Sequence, residues 1–253
     1  AWKTTIDGLR DRFYFNVTPP ERKTLGKRMV AVHIRRGDIK DPKRWLDFEY
    51  YIEKMEDILK QSPNDTMFQI VSEGELFRGL KAGFTGDKII STSYGKNEQE
   101  IKACLAVDIL QFNIEAPEEL MNISAFAVEM DKQTEVVFRL NPDIAGGGHS
   151  KISTGRKEDK FGNTHADIMQ LYKRAEVLPN VTPVGISIHI GSQISQVEAF
   201  KPGFEKLAVL VKDLRAAGHS VTHLDIGGGF PIIYNDEKLL DLDAFAGWVN
   251  EVI

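Results

Sequence analysis

Two apolar runs that end in glycine constrain this chain most. They are Ile186-Ser187-Ile188-His189-Ile190-Gly191-Ser192-Gln193 and Leu224-Asp225-Ile226-Gly227-Gly228-Gly229-Phe230. β-Branched residues pack a buried strand, and glycine just after it lets a ligand approach the backbone. Two such strand ends, one βα unit apart, can face a single cavity at the carboxyl end of a parallel barrel. Three consecutive glycines offer bare N–H groups in a turn, which suits a phosphate held by main-chain donors. His189 supplies a flat ring beside them.

The rest of the chain repeats this rhythm. Strands are expected at 29–34, 67–71, 88–91, 109–114, 135–140, 183–190 and 221–226. Helices are expected at 48–61, 73–82, 97–105, 117–130, 164–175, 197–217 and 242–253. Ser62-Pro63-Asn64-Asp65 stops the first helix, and Ala216-Ala217-Gly218 caps the long one. Strict alternation predicts an α/β fold with parallel strands and right-handed crossovers. About seven βα units make an incomplete (β/α) barrel, with an open doubly wound sheet as the alternative. The connection 141–163 is long and carries Gly146-Gly147-Gly148-His149 with a basic stretch after it; loops of that length are often functional.

Composition narrows the partners. A net charge of −5 argues against nucleic acid. A single cysteine, Cys104, excludes an intrachain disulfide and a cysteine-built zinc site, and no metal is expected. No apolar run is long enough to span a membrane, and the first residues lack a hydrophobic signal core. The expectation is a cytoplasmic protein acting on a small molecule.

From about residue 71 the chain carries an ordered set of motifs. They are Val71-Ser72-Glu73-Gly74-Glu75-Leu76, Gln111-Phe112-Asn113-Ile114-Glu115, Arg139-Leu140-Asn141-Pro142-Asp143, Lys151-Ile152-Ser153-Thr154-Gly155 and Lys160-Phe161-Gly162, then the two glycine-ended runs. In this order they resemble the diaminopimelate decarboxylases and their relatives, the barrel-type pyridoxal-phosphate-dependent amino-acid decarboxylases. The resemblance implies a barrel of the alanine-racemase-like type and pyridoxal 5'-phosphate as cofactor. It implies decarboxylation of a diamino acid, meso-diaminopimelate to L-lysine, in a homodimer. His189 would stack on the pyridine ring. Ser192 and the backbone of Gly227, Gly228 and Gly229 would hold the phosphate. Arg139 and Asn113 would line the cavity.

The first 70 residues carry another pattern. Val30-Ala31-Val32-His33-Ile34-Arg35-Arg36-Gly37-Asp38, then Arg44-Trp45-Leu46 and Phe48-Glu49-Tyr50-Tyr51, resemble fucosyltransferase-like glycosyltransferases. The resemblance implies a sugar-nucleotide phosphate site at His33, Arg35 and Arg36, and arginine's fork of donors matches phosphate oxygens. The expected division is a glycosyltransferase-like βα segment at 1–70, standing in for the first barrel unit, and a decarboxylase-type barrel at 71–253. That barrel is expected to stop before its eighth strand and a C-terminal β-domain. The two patterns meet at Val71-Ser72-Glu73-Gly74-Glu75, where the chain reads as a join between two proteins. The family pattern also has Lys-Ala-Asn at its first strand end, and its lysine forms the covalent link to the cofactor. No such string precedes Ser72, although Lys40 and Lys43 lie in a nearby loop, so the catalytic residue is left open.

Overall fold

The structure is a computed structural model that describes residues 48–61, 66–144, 162–231, 239–241, 244–245 and 247–249. The expected strand at 29–34, residues His33, Arg35, Arg36, Lys40 and Lys43, and most of loop 141–163 and helix 242–253 lie outside the described residues. The chain divides into two compact units, Ala1–Gln111 and Phe112–Ile253.

In the first unit, α1 (Phe48–Gln61) buries Ile52, Met55 and Ile58 along one stripe. Strand β1 (Phe68–Ile70) pairs in parallel with β2 (Ile89–Thr92), Phe68 opposite Ile89. Between them α2 (Glu73–Lys81) starts at Ser72, whose hydroxyl accepts the Glu75 N–H at 3.3 Å. A Cβ at Gly79 would lie 2.5 Å from the Phe68 ring, so glycine is what lets α2 sit on β1. Helix α3 (Glu98–Ala106) opens with a reciprocal cap between Asn97 and Glu100.

The second unit continues through β3 (Gln111–Ile114), α4 (Pro117–Glu129), β4 (Thr134–Leu140), α5 (His165–Ala175), β5 (Val181–Ile188), α6 (Lys201–Ala216) and β6 (His223–Asp225). Strands β3 to β6 are all parallel and neighbour one another in chain order. Side chains alternate between the two faces of a strand. On one face Phe112, Ile114, Phe138, Leu140, Ile186 and Ile188 are buried, and the Phe138 ring lies 5.3 Å from Tyr172 of α5. The other face carries Asn113, Arg139, Ser187 and Asp225, with Arg139 opposite Ser187 and Ser187 opposite Asp225.

A doubly wound sheet covers both faces with helices, and its strands read as continuous apolar runs. Buried polar residues on one face, with no reversal of order from β3 to β6, belong to a barrel interior instead. The alternative of an open doubly wound sheet is thereby set aside.

Two expectations shift in detail. The strand expected to reach Ile190 ends at Ile188, so His189 is the first residue of the loop above it. The single helix expected at 197–217 is a short 3₁₀ turn, Val197–Ala199, followed by α6. Pro202 explains the break: its ring has no N–H to donate and fits only the first turn of a helix.

Candidate active site

The carboxyl ends of β3 to β6 hold a polar cluster whose partly accessible members form an upper tier and whose buried members form a lower one, with Arg139, Ser187 and Asp225 sharing one level of register. The upper tier is partly accessible and consists of His189, Arg139 and the turn Gly227–Gly229. The lower tier is buried and consists of Asn113, Glu115, Ser187 and Asp225.

The upper tier owes its shape to backbone. Gly227 and Gly229 take φ of +72° and +88°. A Cβ on Gly227 would lie 2.1 Å from the Ile188 carbonyl oxygen, and one on Gly229 would lie 2.0 Å from that of Gly191. Both positions therefore exclude side chains twice over, by φ and by contact. Gly228 differs, because the space where its Cβ would stand is open. Its N–H donates to His189 Nδ1 at 3.4 Å, which leaves the proton of a neutral ring on Nε2. Ser192 is exposed, and its Cα comes close to the place a Cβ of Gly229 would take. The Ile194 N–H donates to the Gly229 carbonyl at 2.9 Å, tying the two glycine loops together.

The lower tier fixes the upper one. Arg139 Nη1 donates to both carboxylate oxygens of Glu115 at 2.8 Å. Its Nη2 donates to the His189 carbonyl at 3.3 Å. Asp225 accepts from Asn113 Nδ2 at 2.7 Å and from the Gly227 N–H at 2.9 Å. Asn163 donates through Nδ2 to the carbonyls of Ile114 and Arg139, both at 3.3 Å, so the far end of the long loop is pinned beside the same arginine.

Burial sets the electrostatics. Loss of water, then the neighbouring Arg139 charge, pushes the His189 pKa down to about 4. Burial raises Asp225 above the usual carboxylate range, against the opposing pull of the Gly227 N–H, the Asn113 amide and Arg139. Among the described residues the Ser187 hydroxyl, enclosed between Arg139 and Asp225 in register, has no hydrogen-bond partner.

Sequence reasoning named His189, Ser192, Gly227, Gly228, Gly229, Arg139 and Asn113, and the structure brings these together at one end of the second unit. It passed over the supporting acids Glu115 and Asp225, and also Ser187. A signal was present for each. Glu115 follows Asn113, and Ser187 precedes His189, by the two residues that return a strand to the same face. Asp225 is the last strand residue before the glycines.

A glycine turn of positive φ above buried polar side chains, at the carboxyl end of parallel strands, is the kind of place where barrel proteins hold phosphate groups. Residues 55–253 match the family described as pyridoxal-dependent decarboxylase, pyridoxal binding domain, and the chain belongs to that family. It is 40% identical over 186 residues to the diaminopimelate decarboxylase of Neisseria meningitidis serogroup A, covering 74% of this chain and 46% of that one. It is 41% identical over 170 residues to the Haemophilus influenzae enzyme of the same name, covering 67% and 41%. The crystal structure of diaminopimelate decarboxylase from Helicobacter pylori complexed with L-lysine superposes with a TM-score of 0.74 at 30% identity, over 79% of this chain and 50% of that one. The chain thus spans under half the length of these two curated relatives.

Pyridoxal phosphate is the cofactor of this family, and the residues present fit it. Open space at Gly228, in a turn without side chains, suits a phosphate. A neutral, partly accessible His189 ring suits the flat face of a pyridine. No helix among the described residues is long and apolar enough to cross a membrane.

Proposed function

We propose that this chain forms the cofactor-binding part of a decarboxylase acting on a diamino acid, with meso-diaminopimelate as substrate and L-lysine and CO₂ as products. The observation that carries the reading is the junction of His189 with the Gly227–Gly229 turn through the Gly228 N–H. It brings a ring suited to stacking against a wall suited to phosphate. The names of the most similar relatives, and the lysine held in the Helicobacter pylori structure, support the substrate class.

The roles follow from the geometry. The Gly227–Gly229 backbone forms the wall for the phosphate, with the Gly227 and Gly228 N–H groups turned to Asp225 and His189 and Ser192 at the edge. His189 offers its ring face and stays neutral at physiological pH. Arg139, held by Glu115, fixes the His189 backbone and brings positive charge to a site for an anionic ligand. Asn113 supports the floor through Asp225. When bound, pyridoxal phosphate supplies an electron sink for the pair left as the α-carboxylate departs. A homodimer is part of the proposal, as the family pattern implies, and light scattering at twice the chain mass is its check.

Absorbance titration with pyridoxal phosphate, followed by assay of L-lysine formation from meso-diaminopimelate, tests the reading. Saturable binding is expected, and L-lysine formation would show in addition that the chain supplies its own catalytic lysine. No binding at high micromolar cofactor would overturn it. For residues 1–70 the Arg35-Arg36 pair supports a separate nucleotide-phosphate role, and GDP binding that survives Arg36→Ala unchanged would remove its basis.

A further inference from the structure

We infer that Asp225 is the positioning residue that sets the glycine turn, acting as a two-sided latch rather than as a charge directed at a ligand. The inference deepens the proposed function and rests on the reading of Gly227–Gly229 as a phosphate wall.

Asp225 closes β6, and its side chain lies on the buried polar face. One carboxylate oxygen accepts the N–H of Gly227, two residues on, at 2.9 Å. This is a local turn in which an acidic side chain replaces a backbone acceptor. It holds Gly227 in the left-handed region, where its φ is +72°. The next N–H, that of Gly228, is thereby aimed at His189 Nδ1. The other carboxylate oxygen accepts from Asn113 Nδ2 at 2.7 Å. Asn113 belongs to β3, and β4 and β5 lie between it and β6 in the chain of strand pairs. The latch therefore spans the face, anchoring a flexible glycine run to a strand that it does not pair with.

Glycine runs lose more conformational freedom on ordering than any other sequence. A turn of three glycines without such an anchor would sample many states, and its backbone would form one wall only part of the time. A ligand with a group seated against that wall would then bind more weakly by the fraction of time it is in place. A ligand with no group to seat there would lose less.

Asparagine at 225 keeps the shape and one acceptor oxygen for Gly227, and the Asn113 amide can turn over to meet its NH₂. Alanine keeps neither contact. Binding of pyridoxal phosphate and of pyridoxal, which lacks the phosphate, is measured by absorbance titration on the whole chain. The proteins are the wild type, Asp225→Ala, Asp225→Asn and Asn113→Ala. The latch predicts at least tenfold weaker pyridoxal phosphate binding for Asp225→Ala, with pyridoxal changed less than twofold. It predicts Asp225→Asn within about threefold of wild type, and Asn113→Ala in between.

Asn113→Ala carries the test if Asp225→Ala does not fold, since it removes only the far contact. Equal losses for Asp225→Asn and Asp225→Ala would overturn the latch, because the charge would then be what matters. So would equal losses of pyridoxal and pyridoxal phosphate. Failure of the wild type to bind pyridoxal phosphate would overturn the phosphate-wall reading itself, and the latch with it.

Discussion

The two ends of the same parallel strands use similar residues for different purposes. At the carboxyl end of β3 to β6, Glu115 and Arg139 pair with side chains 1% and 11% exposed. At the amino end, His223 and Glu135 stand 3.7 Å apart with side chains 36% and 42% exposed. His219, its side chain 7% exposed, meets Glu176 at 2.6 Å there, with the glutamate 44% exposed. Asn180 donates to the Lys132 carbonyl at 2.8 Å, closing the turn into β4. A buried charge pair is hazardous to break, because its surviving member has no water to turn to. An exposed pair is screened and contributes little. One end buries a full charge pair, while the other leaves at least one partner of each pair open to water.

The sharpest way to break this comparison is to remove one acid from each end. Glu115→Ala leaves Arg139 beside the buried floor without its bidentate partner and is expected to destabilise by about 3–5 kcal/mol. Glu135→Ala is expected to change stability by about 1 kcal/mol or less. Urea denaturation of both variants measures the contrast. Equal effects would mean that the two ends do not differ in kind.

The next effect is one of pH. Folding lowers the His189 pKa from 6.5 to about 4, so between those values the unfolded chain takes up a proton that the folded chain refuses. The stability contributed by the neutral ring is complete above pH 6.5 and is lost as the pH falls towards 4, by ~3 kcal/mol at most. Asp225 works in the opposite sense. Its folded pKa lies above 3.8, so its contribution is present below that value and is lost as pH rises through the raised pKa. Thermal melts of the wild type and His189→Phe between pH 7 and 4.5 separate the two. The variant is expected to lose less stability over that range, and parallel curves would show that His189 is not held neutral.

A smaller contrast lies in the glycines. Gly227→Ala meets both a φ of +72° and the Ile188 carbonyl, and is expected to destabilise by about 2 kcal/mol or more. Gly218→Ala, at the amino end between α6 and β6, has a φ of +91° but nothing within 4 Å of its Cβ. Its expected cost is about 1 kcal/mol, from φ alone. Gly227→Ala is also expected to weaken pyridoxal phosphate binding, and Gly218→Ala is not.

Much of this was legible because strand ends are written in local sequence. The run from Ile186 to Gln193 announces a buried strand and then a loop, and the glycine run repeats the signal. His189 and the glycines could be named because they stand next to each other in that pattern. Pairing between distant strands is not local. Nothing near Asn113 in sequence points to Asp225, 112 residues away, and the contact appears only when register sets both on one face. Glu115 was overlooked for a related reason: an acid just before a helix reads as a solvated helix start, and only Arg139 from the next strand turns it inward. Pro202 fits only the first turn of a helix, so the segment expected as one helix at 197–217 divides into a turn and a helix.

The smallest expected effect on stability is the most informative about the site. Gly228 has no positive φ to keep, and a methyl group there would enter open space. Its N–H to His189 survives the change to alanine. Gly228→Ala should therefore alter folding stability by less than about 0.5 kcal/mol. It should nonetheless weaken pyridoxal phosphate, because the space it fills is the space beside the turn where a phosphate would sit. A variant that melts like the wild type but binds the cofactor several-fold more weakly would assign that space to the ligand. Unchanged binding would leave Gly228 as a spacer between two constrained neighbours, and the wall would then consist of Gly227 and Gly229 alone.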